Sequence, residues 1–162
     1  MNFRIGNGID IYQLIKNKKL ILGGIHIPFI LGSDGHSDGD ALLHALTDSI
    51  LGALALGDIG DFFPSNNSDL ENENSKIFLD FALKKMVKNN FCISNTDITI
   101  ILQEPPISKY KNKIKNQLSK YLLIDESNIS IKATTTDRLG FIGESKGICV
   151  IVNTLLIKNE ES

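Results

Sequence analysis

Two histidines and five carboxylates fall within HSDGDALLHALTDSILGALALGDIGDFFP, His36 to Pro64, among otherwise mostly apolar residues. A helix beginning near a Ser37/Asp38 cap would carry Asp40, His44 and Asp48 at four-residue spacing, hence on one face. Imidazole and carboxylate converging on one face can bind a divalent cation. Upstream, Asp10 and Tyr12 stand two apart in a β-type run, so both side chains leave the same side of a strand. His44 could meet them there, with His36 as a further donor, since a catalytic zinc usually takes about three protein ligands. The plainer alternative is that Asp10 caps a turn and His44 makes an ordinary hydrogen bond.

Two further segments carry chemistry. In KATTTDRLGF, residues 132–141, three threonines end a strand and Asp137 follows at once. Hydroxyls and free amides there can hold phosphate oxygens, and the carboxylate can hold a bridging Mg²⁺. GDIGDFFP, residues 57–64, reads either as a helix C-cap and turn or as a site where Asp58 and the backbone at Ile59 and Gly60 hold the hydroxyls of a small polyol.

These residues need a scaffold. Residues 3–12 read as a strand with glycines at 6 and 8, a sign of close backbone approach. Residues 19–29 place two apolar runs around Gly23-Gly24, a hairpin signal. A helix of about 15 residues follows, with Leu43, Leu46, Ile50 and Leu54 at helical spacing, stopping near Gly57. A polar run at 65–74 reads as a surface loop or a lid. A second helix is expected from about Ser75 to Asn89, with Ile77, Phe78, Phe81, Ala82 and Met86 as its apolar stripe. A strand over 93–103 looks buried on both faces. A helix over about 108–123 carries Tyr110, Ile114, Leu118 and Tyr121, and strands at 128–136 and 146–158 close the chain. The order predicts an α+β fold, a mixed β-sheet with helices packed on one face plus a small hairpin.

The 162-residue chain is 42% hydrophobic with a formal net charge of -2, which fits one domain, residues 1–162. No apolar run approaches the roughly 20 residues of a membrane span, and no basic field invites nucleic acid. The N-terminus lacks the features of a signal segment, and Cys92 and Cys149 lie in apolar segments without C-x-x-C spacing, so a cytoplasmic protein with two buried thiols is expected.

RIGNGID at 4–10, HSDGDALLHALTD at 36–48, GALALGDIGDFFP at 52–64 and IKATTTDRLGF at 131–141 together resemble the 2-C-methyl-D-erythritol 2,4-cyclodiphosphate synthase family of the non-mevalonate isoprenoid pathway. The resemblance covers essentially the whole chain. It implies conversion of 4-diphosphocytidyl-2-C-methyl-D-erythritol 2-phosphate to the cyclic diphosphate with release of CMP, a phosphorus–oxygen lyase reaction. It also implies a homotrimer with active sites shared between subunits. A zinc-type ion would sit on Asp10 and His44, a second Mg²⁺ or Mn²⁺ on Asp137. His36 and Thr135 match the transition-state stabilisers. Substrate contacts match Asp10, His36, Ser37, Asp58, Ile59 and Gly60, then Phe63, Pro64, Ser65, Asn66 and Asn67. Further contacts match Thr134, Thr135, Thr136 and Asp137, with Phe141 and Glu144 beyond them. The cytidine segment matches Leu102, Gln103, Glu104, Pro105, Pro106, Ile107 and Ser108, with Thr134 and Thr135.

Three departures stand out. The family's second histidine ligand is Tyr12 here, a poor zinc ligand as a neutral phenol. Its proline-lysine is Pro105-Pro106, which leaves Lys109 or Lys111 as substitute cations. An arginine and an acidic residue that line the trimer's central cavity are Glu144 and Lys146, with charges exchanged. These losses motivate an alternative, a non-catalytic trimeric paralogue that binds a nucleotide or an isoprenoid diphosphate. A metal-dependent phosphohydrolase is a third reading.

Overall fold

The computed structural model describes residues 2–35, 37–64 and 73–159. The 14-residue strand β1 (Phe3–Lys16) comes first, followed by the hairpin β2 (Leu20–Leu22) and β3 (Ile25–Ile27) and the short β4 (Leu31–Ser33). Three helices come next, α1 (Ala41–Ala53), the single-turn α2 (Ile59–Phe62) and α3 (Lys76–Lys88). Then β5 (Phe91–Ile101), α4 (Lys111–Leu122), β6 (Ile129–Thr134), the single-turn α5 (Gly140–Gly143) and β7 (Gly147–Lys158) complete the order. The main sheet is ordered β4-β1-β7-β5-β6, antiparallel except for the parallel β5–β6 pair, and the hairpin stands apart. No described helix is long and apolar enough to cross a membrane. Cys149 is a buried free thiol, and Cys92 is a half-buried one.

The glycines of β1 explain how the helices sit. A Cβ on Gly8 would lie 1.8 Å from the carbonyl oxygen of Ala45, and one on Gly6 would lie 1.8 Å from that of Ser49. Ala45, Ser49 and Ala53 recur every four residues along α1, so a row of small side chains lies directly on the bare backbone of β1. This is the contact that brings His44 down to the strand. α3 packs beside α1, and α4 lies against β6 and the hairpin. The core between sheet and helices includes Leu42, Leu46, Ile50, Leu79, Ile98, Ile114, Val150 and Val152, all fully buried.

The opposite face of the sheet is open. Phe3, Ile5, Ile9 and Ile11, the odd positions of β1, are 53–74% exposed. A polar stripe crosses this face: Asn7 Nδ2 donates to Asn153 Oδ1 at 2.8 Å, and Lys132 Nζ meets Asp97 Oδ2 at 2.6 Å. Strand β5 therefore alternates along its length rather than being buried on both sides: Ile98 and Ile100 are buried in the core, while Thr99 and Ile101 are only half-buried on the other side.

Other boundaries shift for local reasons. Asp40, not Ser37 or Asp38, is the N-cap of α1, because its carboxylate accepts the amides of Leu42 and Leu43. The helix ends at Ala53, ahead of the left-handed turn at Ala55 and Gly57. On α3 the buried stripe is Phe78, Leu79, Ala82 and Met86, with Ile77 exposed instead. The turn between β6 and β7 contains α5, and β1 extends to Lys16 to pair with β4, which periodicity alone does not reveal.

Candidate active site

Asp10 and Tyr12, even positions of β1, face α1 as the strand alternation predicts. His44 Nδ1 stands 3.4 Å from Asp10 Oδ2 and 2.9 Å from the Tyr12 hydroxyl. Asp10 Oδ1 accepts the Ile11 amide, while Oδ2 is buried and, among the described residues, has no hydrogen-bond partner. A buried carboxylate oxygen without a donor is costly, so it marks a place for a positive charge. The spacing fits one: two ligands about 2.0–2.1 Å from a tetrahedral zinc stand about 3.3 Å apart. Tyr12 fits less well. Burial, then the nearby carboxylates of Asp10, Asp38 and Asp40, push its phenol well above the ordinary value, so it stays protonated and occupies the histidine nitrogen instead of presenting a phenolate. The donor set thus suits a divalent cation on Asp10 and His44, with the Tyr12 hydroxyl beside them.

The other nitrogen of His44 is held from behind. Nε2 lies 2.9 Å from Ser75 Oγ and 3.2 Å from Ser37 Oγ. Ser75 Oγ donates to Asp38 Oδ1, and Asp38 Oδ2 accepts the Ser75 amide at 3.2 Å. The ring is further fixed by edge contacts with Phe78 and Tyr12 at 5.3 and 5.9 Å between centroids. Ser75 carries no motif signal, and only its position at the head of α3 puts it here. Ser37, expected against substrate, is buried and turns its hydroxyl inward to His44 and Ser75.

Asp40 does not join this face. It is fully buried, and its two oxygens accept the amides of Gly23, Gly24, Leu42 and Leu43. It clamps the hairpin turn onto the start of α1, and its complete burial lifts the carboxyl to about 6. Asp48 does share the His44 face, one turn on. Burial raises its carboxyl, and Oδ1 accepts the Ile59 amide at 2.8 Å, pinning α2 to α1. That amide is therefore committed and not free for a substrate hydroxyl. Asp58 is exposed and caps α2 in a reciprocal box with Asp61. Gly60 sits in the same turn, and Phe63, just before Pro64, packs its ring on Phe78 and Phe81, each at 5.0 Å. His36, Ser65, Asn66 and Asn67 lie outside the described residues.

The threonine segment forms a separate cluster at the end of β6. Thr135 Oγ1 accepts the Asp137 amide at 3.2 Å and lies 3.4 Å from its carboxylate, and Thr136 Oγ1 donates to Leu139 O at 2.7 Å. Asp137 and Arg138 both adopt left-handed backbone. The segment 102–108 docks alongside: the Leu102 amide donates to Thr134 O, and the Arg138 amide donates to Gln103 Oε1 at 3.1 Å. Leu102 and Ile107 are buried in the core, which leaves Gln103, Glu104, Pro105, Pro106 and Ser108 to face outward. Glu144 and Lys146 pair with each other at 2.5 Å, and Phe141 covers Gly147. Thr134, Ile101, Cys149 and Ile11 are aligned across β6, β5, β7 and β1. The threonine turn thus lies three strand spacings, roughly 14 Å, from the Asp10 strand. One subunit does not bring Thr135 and Asp137 to Asp10 and His44.

The chain is 49% identical over 157 residues to a protein of Brachyspira hyodysenteriae named 2-C-methyl-D-erythritol 2,4-cyclodiphosphate synthase, covering 97% of this chain and 99% of the relative. A solved structure described as "IspF (Plasmodium falciparum) CDP complex" superposes with a TM-score of 0.87 at 42% identity, covering 98% of both chains. The bifunctional IspDF of Campylobacter jejuni superposes with a TM-score of 0.94 at 38% identity, and this chain spans 43% of that longer one. The sequence model described as the YgbB family matches residues 3–157. The chain belongs to the YgbB family.

Proposed function

We propose that the chain converts 4-diphosphocytidyl-2-C-methyl-D-erythritol 2-phosphate to 2-C-methyl-D-erythritol 2,4-cyclodiphosphate and CMP, acting as one domain. The observation that carries the reading is the buried Asp10 oxygen that faces His44 Nδ1 and has no hydrogen-bond partner among the described residues, in a chain of this family. In the reaction an oxygen of the 2-phosphate bonds to the β-phosphorus. The bond from that phosphorus to the bridging oxygen breaks, and its electron pair leaves on CMP. No strong base is needed; the enzyme must fold the substrate, crowd its phosphates and stabilise the spread charge. A divalent ion held by Asp10 and His44 supplies positive charge to a phosphate when bound, with Zn²⁺ the family expectation and Mg²⁺ or Mn²⁺ favoured by the loss of a second histidine. Asp58, through the carboxylate oxygen not used in its cap, and Gly60 hold the polyol. Thr135 donates to the transferred phosphate beside His36, and Asp137 serves the second cation. The outward residues of 102–108 receive the cytidine.

Because the threonine turn stands roughly 14 Å from Asp10 within a subunit, the site is completed by a neighbouring copy. The open apolar face built from Phe3, Ile5, Ile9 and Ile11 supports assembly of a trimer through that face. On this reading the reaction is cytoplasmic and needs neither nucleic acid nor membrane. Purified protein incubated with substrate and Mg²⁺, with and without Zn²⁺ or Mn²⁺, is expected to release CMP and the cyclic product. Binding without turnover under every metal would sustain the paralogue alternative, and free phosphate in place of the cyclic product would sustain hydrolysis.

A further inference from the structure

Ser75 Oγ has one proton, and it donates to the Asp38 carboxylate oxygen. The contact between Ser75 Oγ and Asp38 Oδ1 commits that proton to Asp38. Towards His44, Ser75 Oγ is therefore an acceptor, and Nε2, 2.9 Å away, must carry the ring's hydrogen. Nδ1 then bears the lone pair, on the side of Asp10 Oδ2 and Tyr12. The donors run one way along the chain Tyr12, His44, Ser75, Asp38. Ser37 lies farther from Nε2, at 3.2 Å, and its oxygen also takes the Gly39 amide at 3.4 Å. Ser75 is fully buried, so no water replaces its hydroxyl.

We infer that Ser75, braced by Asp38, is a positioning residue that fixes His44 as its Nε2–H tautomer and aims the Nδ1 lone pair at the Asp10 side. The inference rests on the reading of Asp10 and His44 as cation ligands, but its central readout does not require the cation. A metal ligand whose outer nitrogen loses its partner typically loses about 10–100-fold in metal affinity.

The test uses ¹⁵N-histidine-labelled, metal-free full-length protein, read by imidazole ¹⁵N shifts, with Zn²⁺ affinity measured separately by calorimetry. Wild type and Ser75→Thr are expected to show His44 protonated at Nε2 alone. Ser75→Ala is expected to mix the two tautomers and to weaken Zn²⁺ binding about 10-fold or more, and Ser37→Ala is expected to do neither. Thermal melts establish that each variant is folded, and Ser75→Thr restores the hydroxyl if Ser75→Ala proves unstable. His44 protonated at Nδ1 in wild type, or Ser75→Ala matching wild type in both tautomer and affinity, overturns the inference. Wild type with the expected tautomer but no Zn²⁺ binding upholds the brace and refutes the cation reading.

Discussion

Gly8→Ala tests whether the helix-on-strand contact positions the site. The new Cβ would stand 1.8 Å from Ala45 O, 2.8 Å from Ala45 C and 2.8 Å from Ser49 N, all backbone atoms that no rotamer change can move. Restoring an ordinary separation of roughly 3.3 Å means lifting α1 by about 1.5 Å. α1 buries most of its residues, including Leu42, Leu43, Leu46 and Ile50, so overpacking should cost about 3 kcal/mol, the upper end for such changes. In a chain of this size that lowers Tm by about 6–12 °C. The same lift carries His44 away from Asp10, and a misplacement of about 1 Å is worth about 100-fold in rate. The control is Gly52→Ala on α1, where the added Cβ meets only Asn7 O at 3.8 Å. It is expected to be neutral or to stabilise by up to about 1 kcal/mol. Urea melts and CMP-release rates decide. Gly8→Ala within about 0.5 kcal/mol of wild type, a shift typical of uneventful surface changes, and fully active would refute the argument.

Tyr12→His is expected to tighten Zn²⁺ binding with equal or higher activity, and Tyr12→Phe to leave binding unchanged or tighter by freeing His44 Nδ1; weaker binding in Tyr12→Phe, by calorimetry, would make the phenol a ligand. Ile9→Asp on the open sheet face should turn the proposed trimer into monomers by light scattering and abolish turnover, and a monomeric wild type would contradict the proposed shared site. Asp40, with its folded value near 6 against about 3.8 unfolded, stays protonated in the fold where the unfolded chain has ionised. Its contribution to stability is therefore full below pH 4 and is lost as pH rises through 6, about 3 kcal/mol in all. Urea melts across pH 4–7 should show this slope in wild type and lose it in Asp40→Asn.

Much of this arrangement is legible in the residues. The two-residue spacing of Asp10 and Tyr12 and the four-residue spacing from His44 to Asp48 survive folding because strand and helix periods dictate them. Gly6 and Gly8 announce a close approach, though not that α1 makes it. What the sequence does not reveal is tertiary. Asp40 looks like a member of the cation face until its cap geometry turns it into the core. Ile59 looks available until Asp48 takes its amide. Ser75 has no local signal, since it reaches His44 across a gap in sequence that no periodicity spans. Thr135 and Asp137 sit at a strand end as read, but sheet order alone separates them from Asp10.

The bond from Asp48 to the Ile59 amide gives α1 the character of a ruler. His44 and Asp48 are one turn apart, a rise of about 6 Å, and through Asp48 the helix carries the turn that contains Asp58 and Gly60. On the proposed reading, the cation site and the polyol-binding turn would thus be mounted on one rigid piece at a set interval. Discrimination against shorter or longer polyol phosphates would then be written into the pitch of a helix, where loop substitutions around the site cannot retune it.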